Sequence, residues 1–326
     1  MIKIKDVAIE AGVSVATVSR VLNNNGYVHE DTRKLVNDAI QQLNYKPNEV
    51  ARSLYKKKSR LIGLLLPDIR NPFFPELARG VEDEMQEQGF RLMIGNADEM
   101  PAKESEYIET FIQNNVIGII SATSHGDRDH YNNLSLPIVF LDRVSNHHPS
   151  VYANGVEGGK IAAKVLLKRG SQTITVLRGP ADLPTAQDRF RGAIDELSHS
   201  NAKVNVMSTT SFSFEEAQKW AHELFEEFPE TDGVIASNDI VAAAVLHEAH
   251  RLGKSLPEDL QIIGFDDIPL SSLLFPPLST IRQPAYDMGK EAAKLLIKLI
   301  QNEPVSQKNI QMPVTFIERQ TTRKEE

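Results

Sequence analysis

Residues 3–23 read KIKDVAIEAGVSVATVSRVLN and predict two short helices at the N-terminal end of the chain. Gly12 can adopt the left-handed backbone that ends a helix, and Ser14 is a favourable N-cap for a second helix. Because so short a turn separates the two helices, they must cross steeply, which is helix-turn-helix geometry. The apolar residues that recur with helical spacing in the first helix are Ile4, Val7, Ala8 and Ala11.

Two further amphipathic segments complete a predicted three-helix head. The second helix has an inner face of Val18, Val21 and Leu22. A third helix follows the cap-like residues Glu30, Asp31 and Thr32. Its predicted buried residues are Leu35, Val36, Ala39, Ile40 and Leu43.

The outer face of the second helix is predicted to contact DNA. A groove-reading helix uses its N-terminal residues on base edges. Arg20 can donate two hydrogen bonds to guanine, and Val15 and Ala16 can contact thymine methyl groups. The alternative is a small three-helix module with an incidental surface arginine. The predicted DNA-contacting residues of the head are Ser14, Val15, Ala16, Thr17, Ser19 and Arg20.

Residues 45–55 read YKPNEVARSLY and predict a short hinge helix. Pro47 disfavours helix before it, and Asn48 is a good N-cap. A helix of about eight residues is marginal in water, so it needs a binding partner to form. Leu54 lies beside Arg52 and three lysines, which suits insertion into a minor groove; the alternative is a basic linker whose Leu54 docks on the next domain. The predicted DNA-contacting residues of the hinge are Asn48, Ala51, Arg52 and Leu54.

The charge is divided unevenly along the 326 residues. Residues 1–60 contain eleven Lys/Arg and six Asp/Glu, a net +5, which leaves −13 for residues 61–326 out of the total of −8. A basic head on an acidic body confines DNA to one end. The absence of cysteine excludes disulfides and thiolate metal sites. Neither a signal peptide nor a membrane span is evident, so the protein is expected to be cytoplasmic.

From residue 59 onward, short apolar runs alternate with amphipathic helical segments, and the pattern restarts near Asn154. This alternation predicts parallel sheets in two similar lobes, with only residues 319–326 expected to be frayed. The predicted fold class is therefore α/β with an all-α N-terminal head.

Ligands bind at the carboxyl ends of strands in such sheets. The strand runs end in Asn71-Pro72-Phe73-Phe74, Asp142-Arg143, Asn238-Asp239 and Asp266-Asp267, to which Arg189, Phe212 and Gln283 are added. Carboxylates and amides can bind neighbouring hydroxyls, arginines can donate to sugar oxygens, and phenyl rings can pack on C–H faces. Two aspartates offset two arginines, which indicates a small neutral sugar.

Head and hinge together resemble the lactose-repressor (GalR-LacI) family of bacterial transcription regulators, and residues 61–320 resemble its periplasmic sugar-binding fold. The likeness is greatest to the branch that represses ribose operons. It implies that Phe73 and Phe74 sandwich the sugar and that Leu54 wedges open the centre of a pseudo-palindromic operator. The ligand-binding residues it implies are Phe73, Phe74, Asp142, Arg143, Arg189, Phe212, Asn238, Asp266 and Gln283.

The predicted organisation is a head (1–46), a hinge (47–60) and a regulatory body (61–326), with the first lobe at about 61–154 and 284–305 and the second at about 155–283 and 306–320. The resemblance implies a homodimer that binds operator DNA and is released by D-ribose, without cofactor or membrane. Another pentose or hexose as effector, or a catabolite control regulator that binds a phosphorylated carrier protein, remains open.

An enzyme is not expected, because the chain has no P-loop, no G-x-S-x-G motif and no phosphate cradle for a sugar kinase. A transport receptor would need an export signal and no DNA-binding head. The richest metal-like cluster is His125, Asp127, Asp129 and His130, which is interpreted as a solvated loop, so no metal site is predicted.

Overall fold

The head is built from three helices, and a computed structural model describes residues 2–45, 59–123, 131, 133–145 and 147–325. The helices are α1 (Ile4–Glu10), α2 (Val15–Asn23) and α3 (Glu30–Gln42). The Ser14 hydroxyl accepts a hydrogen bond from the Thr17 backbone N–H at 3.1 Å, as an N-cap does. Gly12 has φ +63°, a conformation that suits glycine in the turn between α1 and α2.

The three helices share one small core of residues 4–45, in which Val7, Val18 and Val36 are fully buried. The prediction that Leu35 is buried is wrong, since it is 54% exposed. Helix α3 begins at Glu30 without a side-chain cap, so residues 30–32 form its first turn. The residues of α3 that face the core recur with helical spacing and are Val36, Ala39, Ile40 and Leu43. Leu35 immediately precedes Val36, so it lies on a different side of the helix and faces solvent.

The chain divides into two units, Met1–Ser59 and Arg60–Glu326, and the second unit contains two sheets. The first-lobe sheet has the order β11-β5-β4-β3-β1-β2, with every neighbouring pair parallel. Its strands are β1 (Leu61–Leu66), β2 (Arg91–Asn96), β3 (Ile119–Ser121), β4 (Ile138–Leu141), β5 (Ser150–Ala153) and β11 (Asn309–Met312). Its helices are α4 (Phe73–Glu87), α5 (Pro101–Gln113) and α10 (Ala285–Ile300).

The second-lobe sheet has the order β12-β10-β9-β8-β6-β7 and is parallel except for the pair β10–β12. Its strands are β6 (Thr173–Arg178), β7 (Lys203–Ser208), β8 (Gly233–Ile235), β9 (Gln261–Asp266), β10 (Ser279–Arg282) and β12 (Thr315–Ile317). Its helices are α6 (Gly155–Lys168), α7 (Pro184–Leu197), α8 (Phe214–Glu227) and α9 (Asp239–Arg251), with a short 3₁₀ helix at Pro269–Ser272.

Helices α6 and α7 approach each other closely through a pair of glycines. A Cβ added at Gly159 would lie 2.0 Å from the carbonyl oxygen of Arg189, and one added at Gly192 would lie 1.9 Å from that of Val156. Only glycine permits this contact, which fixes the position of α7 and therefore of Arg189.

The chain crosses between the lobes three times. The first two crossings follow β5 and β10, and the lobe boundaries are predicted at 154 and 283. The third lies between Met312 and Thr315, so the predicted boundary near 305 is wrong, because β11 pairs with β5 in the first sheet. The edge strand β11 is largely exposed and lacks the apolar run that marks a buried strand.

The expectation of a frayed C-terminal segment is also wrong. Thr321 and Thr322 are buried, and the Thr321 hydroxyl donates to the Ile262 carbonyl at 2.7 Å. The Arg323 backbone N–H donates to the Gln261 side chain at 2.9 Å. Polar residues are buried here because these hydrogen bonds satisfy them.

Among the described residues, no helix is both long and apolar enough to cross a bilayer, and no cluster of metal-binding side chains occurs. The His125–His130 cluster considered above lies outside the described residues.

Candidate functional site

The outer face of α2 is solvent-accessible, as DNA contact requires. Val15, Ala16 and Arg20 are exposed, and Arg20 has no side-chain partner among residues 2–45. Ser14 and Thr17 are partly engaged in the helix cap, where their hydroxyls lie 2.9 Å apart. The predicted hinge contacts Asn48, Ala51, Arg52 and Leu54 lie outside the described residues.

The carboxyl ends of strands from both lobes meet at a cleft of about 410 Å³. The start of α4 contributes Phe73, the end of β9 contributes Asp266, and the crossing after β10 contributes Gln283. These are three of the nine predicted ligand-binding residues. A cleft of this size suits a small molecule rather than a polymer.

Arg189, Asp266 and Gln283 form a connected cluster at the cleft. The Arg189 Nη2 atom lies 3.3 Å from Asp266 Oδ1, to which the Gln283 side chain donates a hydrogen bond at 2.7 Å. Arg189 Nη1 donates to the Ser237 carbonyl at 2.8 Å, and its guanidinium lies 3.9 Å from the centre of the Phe265 ring. Phe212 lies on another side of the guanidinium, at 6.0 Å.

The Asp142–Arg143 pair lies at the end of β4 in the first lobe. Both side chains are almost fully buried, and Arg143 Nη1 donates to Asp142 Oδ2 at 2.6 Å. The charge of Asp142 reaches Asp266 and helps to raise its pKa, so the pair faces the second-lobe cluster. Asp142 has φ 56°, an uncommon backbone conformation for a residue other than glycine.

Four buried polar atoms just after the carboxyl ends of β4 and β8 have no hydrogen-bond partner in the described structure. Such atoms are rare, because each one forgoes its hydration without compensation. A fifth, on Glu104, lies elsewhere in the first lobe. The four after β4 and β8 are Asp142 Oδ1, Arg143 Nε, Ser237 Oγ and Asn238 Nδ2.

Asn238 serves as both a helix cap and a candidate ligand contact. Its Oδ1 accepts the Val241 backbone N–H at 2.9 Å and so caps α9, while its Nδ2 remains without a partner. Capping holds the side chain in one orientation, so the unpaired amide is fixed in place.

The two neighbouring phenylalanines do not enclose a sugar between them. Phe73 and Phe74 are buried and lie edge to face, with ring centroids 5.3 Å apart and an interplanar angle of 73°. A sandwich needs near-parallel rings about 7 Å apart, to leave contact distance on both faces of the sugar. The predicted sandwich by this pair is therefore wrong for this structure. Phe73 lines the cleft, and Phe74 is not among the residues that line it.

Burial raises the pKa of Asp266 from 3.8 to about 8, with Asp239 and Asp142 acting in the same direction and Arg189 opposing them. Burial therefore disfavours the ionised form of Asp266, and the charge of Arg189 favours it. A ligand whose hydroxyls donate to this carboxyl group would favour its ionised form.

Sequence reasoning missed three residues that shape this cluster. Asp239 and Asp267 follow Asn238 and Asp266 directly, and only the first member of each pair is predicted as a ligand contact. Asp239 is fully buried, and Asp267 pairs with Arg282 and Arg319 at 2.6 Å each. Phe265 stacks on Arg189. An aspartate directly after the predicted contact at each of these two strand ends is a signal that could have marked the first two.

A helix-turn-helix head joined to a two-lobed body with polar strand ends around a cleft defines a ligand-responsive DNA-binding regulator. Family models match at both ends: residues 3–48 match lacI-family bacterial regulatory proteins, and residues 163–322 match a periplasmic binding protein-like domain. The chain belongs to the lacI family of bacterial regulatory proteins. The resemblance and the fold class predicted from the sequence are thereby confirmed.

Two curated relatives span the whole chain. The ribose operon repressor of Bacillus subtilis is 63% identical over 326 residues, which is 100% of both proteins. Catabolite control protein A of Staphylococcus epidermidis is 34% identical over 98% of this chain and 99% of its own length.

Two solved structures are also similar. A LacI family regulator from Enterococcus faecium with bound ribose is 32% identical, with a TM-score of 0.73, over 80% of this chain and 98% of that chain. The lac repressor dimer bound to operator and the anti-inducer ONPF is 25% identical, with a TM-score of 0.88, over 98% of both chains.

Proposed function

We propose that this protein is a repressor of a ribose uptake and catabolism operon, which binds a pseudo-palindromic operator and releases it when D-ribose enters the cleft. The four unpaired buried atoms just after β4 and β8 carry the proposal, because a ligand with several hydrogen-bond donors and acceptors would satisfy them. The 63% identity to a ribose operon repressor, against 34% to a catabolite control protein, favours ribose over a phosphorylated carrier protein as the controlling signal.

A neutral sugar suits the cleft better than a sugar phosphate does. Asp142 and Asp266 offset Arg143 and Arg189, and both arginines already have carboxylate partners. A phosphate would place about two negative charges beside two aspartates. Sugar hydroxyls can instead donate to an unpaired acceptor such as Asp142 Oδ1 and accept from an unpaired donor such as Asn238 Nδ2.

The proposed repressor acts as a homodimer, because a two-fold operator needs two heads. The lac repressor, which is similar over nearly the whole chain, is a dimer on its operator. Leu273 and Phe275 are candidates for such a contact, since they are 79% and 83% exposed in the segment that precedes β10. Large apolar side chains that adjoin on a surface often mark an interface.

Calorimetric titration of the full-length protein tests the ligand assignment directly. D-ribose is expected to bind, whereas ribose 5-phosphate and purine bases are not. The phosphate is disfavoured because the described arginines of the site, Arg143, Arg189, Arg282 and Arg319, already pair with carboxylates. Repeating the ribose titration with saturating operator DNA is expected to give a weaker affinity. By reciprocity, the loss must equal the factor by which ribose weakens operator binding, typically about 5–150-fold.

Two results would contradict this proposal. Binding of a purine without binding of ribose would overturn the effector, and equal ribose affinities with and without operator would mean that cleft and head are uncoupled. An operator duplex with a scrambled central sequence is the matched control.

Ribose binding is also expected to depend on pH through Asp266. The pKa of this buried group is raised from 3.8 to about 8. Its contribution to the folding stability of the ligand-free protein is therefore fully present below about pH 4 and is lost as the pH rises towards 8. Hydroxyl donation from ribose favours the ionised carboxylate, so affinity is expected to rise between pH 6 and 8 and binding to release protons.

Titrations in two buffers with different ionisation enthalpies count these protons. Asp266→Asn is expected to remove the proton release. Unchanged proton release in that variant would assign the titration to another group. No proton release in the parent protein would contradict the prediction.

A further inference from the structure

The turn that carries Asp266 is held in an unfavourable backbone conformation. Asp266 has φ 114° and Asp267 has φ 60°, so two consecutive residues with side chains lie in the left-handed region that favours glycine. Such a turn persists only where the surroundings determine it.

The carboxylate of Asp239 binds the chain that follows this turn and the neighbouring strand β10. It accepts hydrogen bonds from the Ile268 backbone N–H at 2.9 Å and from the Ser271 hydroxyl at 2.6 Å. Its other oxygen accepts from the Thr280 hydroxyl on β10 at 2.5 Å. Asp239 is the first residue of α9, directly after Asn238, so one buried group joins α9, the segment after β9 and β10.

The backbone of β9 is shaped to admit this carboxylate. A Cβ at Gly264 would lie 2.2 Å from Asp239 Oδ1, so only glycine leaves room for the oxygen. Asp267 supplies a second attachment, because its two oxygens pair with Arg282 and Arg319. The turn is thus fixed by Asp239 of α9, by Arg282 of β10 and by Arg319, which follows β12.

We propose that Asp239 is a positioning residue for sugar recognition: its three hydrogen bonds hold the Asp266–Asp267 turn so that the Asp266 carboxyl group reaches Arg189, Gln283 and the ligand. The proposal rests on the proposed function, because the ligand of Asp266 is taken to be ribose. In this proposal the buried Asp239 controls the affinity for ribose without contacting ribose itself.

Two serines in the same segment give a matched test by ribose calorimetry on the full-length protein. Ser271 is buried and donates to Asp239, whereas Ser272 is exposed and donates only to the Pro269 carbonyl at 2.9 Å. Ser271→Ala is expected to raise the Kd for ribose about tenfold, the factor that corresponds to losing one hydrogen bond to a charged group. Ser272→Ala is expected to leave the Kd unchanged.

Substitution of Asp239 itself separates geometry from charge. Asn can keep the three contacts, because its oxygen can accept from Ile268 and Ser271 while its amide donates to the Thr280 hydroxyl. Asp239→Asn is therefore expected to bind ribose within about threefold of the parent protein at pH 9, where Asp266 is ionised in both. Asp239→Ala is expected to bind at least about thirtyfold more weakly, since all three contacts are lost.

The pH profile distinguishes positioning from a general effect on folding. Asp266 faces Arg189, Asp142 and Asp239, and the negative charge of Asp239 helps to raise its pKa. Asp239→Asn is expected to move the midpoint of the ribose affinity profile to lower pH. A residue that served only the stability of the fold would change the melting temperature and leave this midpoint in place.

The outcomes separate the two proposals. If the parent protein does not bind ribose, the proposed function fails, and the positioning role falls with it. If the parent binds ribose and Ser271→Ala binds equally well, or if Asp239→Asn leaves the pH midpoint unmoved, the positioning role is overturned and the ribose assignment stands. If Asp239→Ala does not fold, Ser271→Ala, Ser272→Ala and Asp239→Asn still test the positioning role.

Discussion

Replacing Arg189 with alanine is expected to produce a repressor that ribose cannot release from DNA. The substitution removes the partner of Asp266 at 3.3 Å and the donor to the Ser237 carbonyl at 2.8 Å. Breaking a buried ion pair costs about 3–5 kcal/mol, part of which would be lost from the ribose complex. Ribose affinity is therefore expected to fall by roughly 100-fold or more.

Arg191→Ala is the matched control for this prediction. Arg191 lies two residues further along α7, is 69% exposed at its side chain and pairs with Asp188 on the surface. Exposed pairs of this kind contribute about 0–1 kcal/mol, so ribose affinity and induction should be retained. Measuring ribose binding by calorimetry and operator release by fluorescence anisotropy checks both. Normal induction in Arg189→Ala would falsify the placement of the sugar beside Arg189.

The second large effect is expected in the head, where Arg20→Ala should weaken operator binding and relax its sequence preference. One bidentate contact to guanine contributes about 1–3 kcal/mol of discrimination, and a dimer makes it twice. The loss for the whole operator is therefore about 2–6 kcal/mol, or roughly 30- to 20,000-fold. Arg20 is exposed and has no side-chain partner in residues 2–45, so the fold of the head should be unaffected.

Arg33→Ala provides the contrast. Arg33 lies on α3 and donates to the Asn24 side chain at 3.2 Å. A cation of this kind can contact phosphate but does not read bases from α2, so its loss should weaken binding to all sequences alike. Competition binding against operators with one substituted base pair per half-site distinguishes the two. If Arg20→Ala retains the full preference for one base, Arg20 does not read it.

The sequence predicts most strongly where structure is local. The N-cap at Ser14 and the apolar spacing of α1 and α2 depend on neighbouring residues, and both occur as predicted. Runs such as Leu61–Leu66 also predict their strands, because a buried parallel strand must be apolar throughout. Four short strands, β5, β10, β11 and β12, lack such runs, so the sequence does not predict them.

The parts of the site that depend on packing between distant residues are not predictable from the residue pattern. The edge-to-face arrangement of Phe73 and Phe74 and the stacking of Arg189 on Phe265 are set by how helices and strands pack.

The role of Asp239 depends on contacts with Ile268, Ser271 and Thr280, which are distant along the chain. A sequence pattern marks polar residues at strand ends, but only the fold shows which of them face the ligand and which support its contacts.

The third crossing of the chain has a consequence for biosynthesis. Residues 309–325 supply β11 to one sheet, β12 to the other, and the buried Thr321 and Thr322. The core of the head comes from residues 4–45 and can form early, whereas neither lobe is complete until the ribosome has added residue 309 and beyond. At about 5–20 residues per second, that interval is roughly 10–50 s. A nascent chain therefore carries a finished DNA-reading head on an unfinished body, and a chain truncated before residue 309 lacks an edge strand in both sheets.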